Sequence, residues 1–230
     1  HDVRPLCLDR AVHFAVTNEH LETLKFLCSV GADPYSCDHG YLQFAIQRNL
    51  LDMVKFLCSP AYSVHAKQLN KSSALFTAIH SCRPEMLKFL CSLWRDDDVE
   101  VQEVLRENLE RSVGCGYVKV VKFLCTDMGL DPSYKDSMYV DVAARCGHIE
   151  MVKYLYSRGV VNPTEVNGRV YVEAASRGHL ELVKFALGYG GGIDYSVHQR
   201  IINDEVIRRN RTDVIKIILQ HVDRRKIERT

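Results

Sequence analysis

One short pattern recurs along this chain at a nearly fixed interval. An acid, any residue, an aliphatic residue and then Lys-(Phe/Tyr)-Leu appear around Lys25, Lys55, Lys88, Lys122, Lys153, Lys184 and, more weakly, Lys216. The successive separations are 30, 33, 34, 31, 31 and 32 residues. A period in the low thirties is the mark of stacked supersecondary units, each burying its apolar face against its neighbours. It predicts one elongated array of about seven units, at 10–33, 40–62, 73–97, 101–131, 138–162, 169–194 and 200–222.

Each unit divides into two amphipathic stretches. In the segment from His179 to Leu187, apolar residues at 180, 183 and 187 and at 182, 185 and 186 follow helical spacing with a wide apolar face. Three residues before each lysine stands Glu22, Asp52, Glu85, Glu150, Glu181 or Asp213, with Lys119 the exception. An acid in the first helical turn complements the helix dipole, and an i,i+3 pair with the lysine adds about 0.2–0.5 kcal/mol. This column reads as a solvated outer face.

The first stretch of each unit ends at Glu19, Asn49, Cys82, Gly116, Gly147, Gly178 or Asn210, positions suited to a left-handed cap that turns the chain into the second helix. Ten residues before each lysine lies Ala15, Ala45, Ala78, Ser112, Ala143, Ala174 or Val206, mostly small, which lets helices approach closely. The second stretch is closed by Gly31-Ala32-Asp33-Pro34, Gly129-Leu130-Asp131-Pro132, Val161-Asn162-Pro163 or Gly192-Ile193-Asp194.

Helix, tight turn, helix and a Gly-Ala-Asp connector at this period resemble the ankyrin repeat. Arg145-Cys146-Gly147-His148-Ile149-Glu150-Met151-Val152-Lys153 and Arg177-Gly178-His179-Leu180-Glu181-Leu182-Val183-Lys184 carry the likeness, which extends over about residues 10–222. The wording of the repeats resembles the divergent arrays of large DNA viruses of amoebae. The resemblance implies an all-α, ankyrin-like helical-pair solenoid. The family's Thr-Pro-Leu-His opening is replaced by Gly40-Tyr41-Leu42-Gln43, Ser73-Ala74-Leu75-Phe76 and Met138-Tyr139-Val140-Asp141, so loops are expected where the family has hairpin fingers. His13 alone stands where the family's histidine would be. Asp96-Asp97-Asp98 and the polar stretch 100–111 predict an extended first helix in the fourth unit, and residues 1–9, with Pro5, are expected to precede the first helix.

The nine cysteines include no CxxC pair, and Cys28, Cys58, Cys91 and Cys125 share one column with Tyr156, Leu187 and Leu219. A column that accepts Cys, Tyr and Leu is a packing position, and free thiols imply a reducing compartment, cytoplasmic or host-cytoplasmic. His20, His148 and His179 share one turn position, a repeat feature rather than a ligand set. Phosphate-loop, dinucleotide, HExxH and GxSxG motifs are absent, so no enzyme, cofactor or metal is expected. A net charge of +1 gives no support to wholesale nucleic-acid or membrane binding. The chain starts at His1 without a signal pattern and is expected to be a segment of a longer protein.

The resemblance implies a non-enzymatic scaffold or adaptor that binds a protein partner through the concave side, formed by connector tips and first helices. By register, the exposed first-helix positions are Gln47-Arg48, His80-Ser81, Arg145-Cys146, Ser176-Arg177 and Arg208-Arg209. Connector tips include His39, Lys71, Lys135, Val166 and His198, flanked by Tyr35 and Tyr134. Arginines recur here and acids look scarce. Either these residues merely solvate the surface, or an Arg-lined groove engages an acidic protein segment through bidentate contacts. The alternative partner is nucleic acid at the C-terminal end, where residues 200–230 hold nine basic and five acidic residues.

Overall fold

In the six helix pairs whose turns are described, the turn is closed by backbone hydrogen bonds. His20, Leu50, Arg83, Tyr117, His148 and His179 each donate their N–H to the carbonyl of the small-column residue five positions back, Ala15, Ala45, Ala78, Ser112, Ala143 or Ala174, at 2.8–3.0 Å. The residue between adopts a positive φ, from 51° at Cys82 to 80° at Gly147. This is the Schellman ending of a helix, which satisfies carbonyls that the next turn no longer reaches. The small column therefore has a double task. Its side chains are fully or nearly fully buried between helices, and its carbonyls anchor the turn.

The computed structural model describes residues 4–35, 40–59, 70–94, 99–135, 137–189 and 211–227. Among these there is no strand, and the helices alternate as the period requires. The chain forms two compact units, residues 1–108 and 109–230. The first unit contains α1 (Arg4–Thr17), α2 (Leu21–Ser29), α3 (Tyr41–Gln47), α4 (Leu51–Leu57), α5 (Lys71–His80) and α6 (Pro84–Leu93). The helix α7 (Val99–Gly114) begins in the first unit and ends in the second, which continues with α8 (Val118–Thr126), α9 (Met138–Cys146), α10 (Ile149–Ser157), α11 (Pro163–Arg177), α12 (Leu180–Tyr189) and α13 (Thr212–Ile227).

Within the first unit, α1, α3 and α5 pack side by side in one layer and α2 packs on α4 in the other. Within the second, α9 packs on α11, while α10 lies between α8 and α12 and α13 packs on α12. The residue before six of the column lysines, Leu24, Val54, Leu87, Val121, Val152 or Val183, is wholly buried in the seam, while Ile215 before Lys216 is half-buried. Burying such an aliphatic side chain stabilises by about 1.5–3 kcal/mol, far more than any pair on the surface.

The column lysines do face solvent. Lys25, Lys55, Lys153 and Lys184 each pair with the acid three residues earlier at 2.7, 3.4, 2.8 and 2.7 Å. In addition, the Lys122 ammonium lies 5.5 Å over the Tyr154 ring and that of Lys153 lies 5.9 Å over the Phe185 ring, each in the following repeat. The lysine ladder is thus tied into its own scaffold by cation–π contacts. In the thiol column Cys28, Cys91, Cys125, Tyr156 and Leu187 are buried and Cys58 is half-buried, as a packing position requires, but Leu219 on α13 is exposed.

Two boundaries differ from the sequence expectation. Helix α1 starts at Arg4 rather than after residue 9, because a proline in the first helical turn removes no needed N–H. Asn162-Pro163 does not only stop the preceding helix but starts α11, with proline in the first helical position and the Asn162 amide donating to Glu165 at 2.8 Å. Val166, expected at a connector tip, is consequently buried inside α11. The extended first helix of the fourth repeat is present as α7, of 16 residues. After α8 the connector forms a short 3₁₀ turn, Pro132–Lys135, opened by the Asp131 carboxylate, which accepts from the Ser133 N–H and hydroxyl at 2.8 and 2.7 Å.

Candidate partner-binding face

The last turn of each first helix ends just before the left-handed cap, so its two final side chains stand beside the reversal of the chain. In the first unit these are Gln47 and Arg48, both exposed. Arg48 reaches back to Glu19, the cap residue of the preceding turn, with Nη2 and Nε at 2.7 and 2.8 Å from the same carboxylate oxygen. A glutamate at the left-handed position is costly for the backbone. Here it supplies the counter-charge for the next repeat's arginine. On α5, His80 is half-buried with its ring 4.0 Å from that of Phe76. Lys71 is the first residue of α5 and half-buried, not part of a free loop tip. Its helix is capped by Asn70, whose side-chain oxygen accepts from the Ser73 N–H at 2.8 Å.

In the second unit, Arg145 at the end of α9 and Arg177 at the end of α11 are both exposed. They converge on one acid. The Oε2 atom of Glu173 lies 3.6 Å from Arg145 Nε and 3.5 Å from Arg177 Nε. One helical turn earlier, Arg169 Nε lies 3.7 Å from Asp141 Oδ1, and its guanidinium donates to the Ser137 hydroxyl. Burial raises the Asp141 carboxyl above its ordinary value against the opposing pull of Arg169. Acids are therefore not scarce on this face: Glu19, Asp141 and Glu173 come from neighbouring register positions that a position-by-position reading of the sequence does not combine. Exposed pairs of this kind stabilise by about 0–1 kcal/mol each.

Ser176 departs from its expected place. It is buried, with its hydroxyl donating to the Glu173 carbonyl at 3.1 Å, so Arg177 alone represents that repeat at the surface. Tyr134 and Lys135 lie in the 3₁₀ turn Pro132–Lys135. His39, Arg208 and Arg209, and His198 with them, lie outside the described residues.

Two arrangements escaped the sequence reading. The ring nitrogen Nε2 of His148 is 2.8 Å from the Gly114 carbonyl oxygen, and that of His179 is 3.0 Å from the Arg145 carbonyl oxygen, each in the preceding repeat. Since a carbonyl only accepts, the proton sits on Nε2 in both. The shared turn position of these histidines hinted at this, but their target did not show in one dimension. The second is Tyr35, expected beside a connector tip. Its hydroxyl donates to the Leu57 carbonyl at 2.7 Å across to the next repeat, and desolvation in this half-buried position raises its ionisation well above the ordinary value of 10.0.

Seven free cysteines are described, of which Cys115 and Cys146 are exposed on this side of the turn. Among the described residues no group of three or more His, Cys, Asp or Glu side chains is placed to hold a metal ion. Also among them, no helix is long and apolar enough to cross a membrane.

Comparison with known families agrees with the repeat geometry. A model described as ankyrin repeats in three copies matches residues 42–136, and a single-repeat model matches residues 9–39 and 141–168. No curated protein matches the chain.

Proposed function

Because the chain belongs to the ankyrin-repeat family, whose arrays are generally protein–protein interaction modules, we propose that it is a non-enzymatic scaffold or adaptor that holds a partner protein. Each unit has its own contact surface at the ends of its first helices: Gln47 and Arg48 in the first unit, and Arg145 and Arg177 in the second. The observation that carries this reading is the recurrence of exposed arginines at the ends of the first helices, Arg48, Arg145 and Arg177. Second-helix lysines are engaged by their own acids and by aromatic rings of the next repeat. First-helix arginines at the turn reach acids outside their own turn or repeat, Arg48 to Glu19 and Arg145 to Glu173, while 60% of Arg48, 51% of Arg145 and 39% of Arg177 stays open. Arginine is the side chain best suited to interfaces, since its weakly hydrated planar fork sheds water cheaply. The free thiols among the described residues support a reducing compartment as the place of action.

The test is affinity capture with the intact chain, read by mass spectrometry against two charge-reversed variants. Arg48→Glu with Arg145→Glu and Arg177→Glu is expected to lose the partners that the parent retains. Lys25→Glu with Lys153→Glu, on the second-helix side, is expected to keep them. Equal capture by all three proteins would overturn the reading.

A further inference from the structure

We infer that Glu173 is an internal stand-in for a partner's carboxylate, and that the segment bound at Arg145 and Arg177 is an acidic peptide. The inference rests on the proposed use of the first-helix face and specifies its ligand chemistry.

Glu173 approaches both guanidinium groups at 3.5–3.6 Å, ion-pair distances beyond the usual hydrogen-bond length of about 2.7–3.2 Å. One carboxylate thus holds two arginines loosely while satisfying neither fork. The three side chains are accessible, at 51% for Arg145, 39% for Arg177 and 30% for Glu173. A third guanidinium stands at the turn that follows Arg177. Arg211 occupies the turn position that holds His148 and His179 in the two preceding repeats, and its guanidinium carbon lies 3.0 Å from where a Cβ on Gly178 would sit. Gly178 directly follows Arg177. Arg145 and Arg177 therefore share a single carboxylate, Glu173, with Arg211 at the adjoining turn, while Arg169 pairs with Asp141. Asp213 belongs to the outer acid column and accepts from the Val214 N–H.

An exposed ion pair of this kind is exchanged at little cost. A peptide carrying successive carboxylates can replace Glu173 with bidentate contacts to the open forks, which are shorter and stronger than the resident ones. Nucleic acid fits less well. The large exposed aromatic side chains described, Phe14, Phe26, Phe76 and Tyr189, lie on neither α9 nor α11, so no stacking platform accompanies these arginines.

The experiment is fluorescence anisotropy of the full chain with a labelled hexaglutamate peptide, a labelled hexaglutamine peptide and a labelled oligothymidylate. The sign of the Glu173→Gln effect decides. A stand-in, once neutralised, no longer competes, so E173Q should bind hexaglutamate about fivefold more tightly, equivalent to ~1 kcal/mol. Arg145→Gln with Arg177→Gln should abolish the binding, and Lys122→Gln should leave it unchanged. Binding of E173Q that is equal or weaker would show that Glu173 only orients the arginines and would overturn the inference. So would equal binding of hexaglutamine, or preference for the oligonucleotide. Should the double arginine variant unfold, E173Q alone still decides. Retained partner capture through the arginines without hexaglutamate binding would sink the acidic ligand but leave the binding face standing.

Discussion

The imidazole of His179 lies against Gly147 of the preceding repeat, its Nδ1 only 2.5 Å from where a Cβ on that glycine would sit, while its Nε2 reaches the Arg145 carbonyl oxygen at 3.0 Å. His148 and Gly116 repeat the relationship one step earlier, at 2.6 Å, with Gly114 supplying the carbonyl. Glycine in these turns is thus required twice, for its left-handed backbone and for the space above it. Where Glu19, Asn49 and Cys82 hold the same backbone with φ of 64°, 63° and 51°, the residues in the histidine's place one repeat later are Leu50, Arg83 and Tyr117.

The two requirements can be separated by substitution. Gly147→Ala should destabilise the chain by about 2–4 kcal/mol, combining left-handed strain of about 1–2 kcal/mol with a clash against a ring held by its hydrogen bond. Gly31→Ala meets only the first, since at φ of 101° nothing lies within 4 Å of its added Cβ, and should cost about 1 kcal/mol. In a His179→Ala background the cost of Gly147→Ala should fall to that of Gly31→Ala. Urea unfolding of the four variants measures the coupling. Additive costs at Gly147 and His179 would show that the ring yields freely.

This cycle also marks where sequence legibility ends. The lysine column, the acids ahead of it and the small column were readable because each obeys one helical period, and helix packing is blind to anything but size and polarity at those positions. The pairing of Arg48 with Glu19, or of Arg145 with Glu173, was not, because it joins residues 29 and 28 apart that stand at different register positions. Ser176 was misplaced for a related reason: register gives a rotational position on the helix, but a small hydroxyl that can bond its own helix is buried where an arginine would extend outward. Pro163 was read as a stop because proline serves both helix ends, and only the Asn162 pairing with Glu165 distinguishes them.

Tyr35 offers a test of how strongly neighbouring repeats are joined outside their apolar seam. Tyr35→Phe keeps the ring and deletes the hydroxyl that donates to Leu57 at 2.7 Å. A half-buried neutral hydrogen bond contributes about 0.5–1.5 kcal/mol, and the stranded carbonyl adds to the loss. Chemical denaturation should show a lower midpoint with an unchanged slope. An unchanged midpoint would mean that water replaces the hydroxyl without cost.

The thiols should sort by their place in the repeat. Cys115 and Cys146 follow the last turn of a first helix and are exposed, whereas Cys28, Cys91 and Cys125 lie in the buried column of the second helices. A thiol-disulfide reagent applied to the native chain should modify Cys115 and Cys146 within the mixing period, and the three column cysteines only as fast as the repeats open. Peptide mapping of the labelled sites checks the order. Early labelling of Cys91 would contradict the packing assigned to that column.

Two aspartates ten residues apart should give opposite responses to acid. Burial raises the Asp141 carboxyl from its ordinary 3.8, with Arg169 opposing and Glu173 reinforcing. The Ser133 hydroxyl and N–H hold the exposed Asp131 below the same value. An acid with a raised folded value binds more protons folded than unfolded, so its contribution to stability falls as pH rises through the interval above 3.8 and the cost is complete beyond it. Asp131 does the reverse: its contribution is present above 3.8 and is lost as pH falls through its lowered folded value. Asp141→Asn should therefore raise the melting temperature at neutral pH, with the gain shrinking toward about pH 4. Asp131→Asn should lower it at neutral pH, with a deficit that closes on the acid side of 3.8. Melting curves of both variants and the parent across this range provide the measurement. An Asp141→Asn deficit at neutral pH that closes toward acid would show that the Arg169 pair outweighs desolvation.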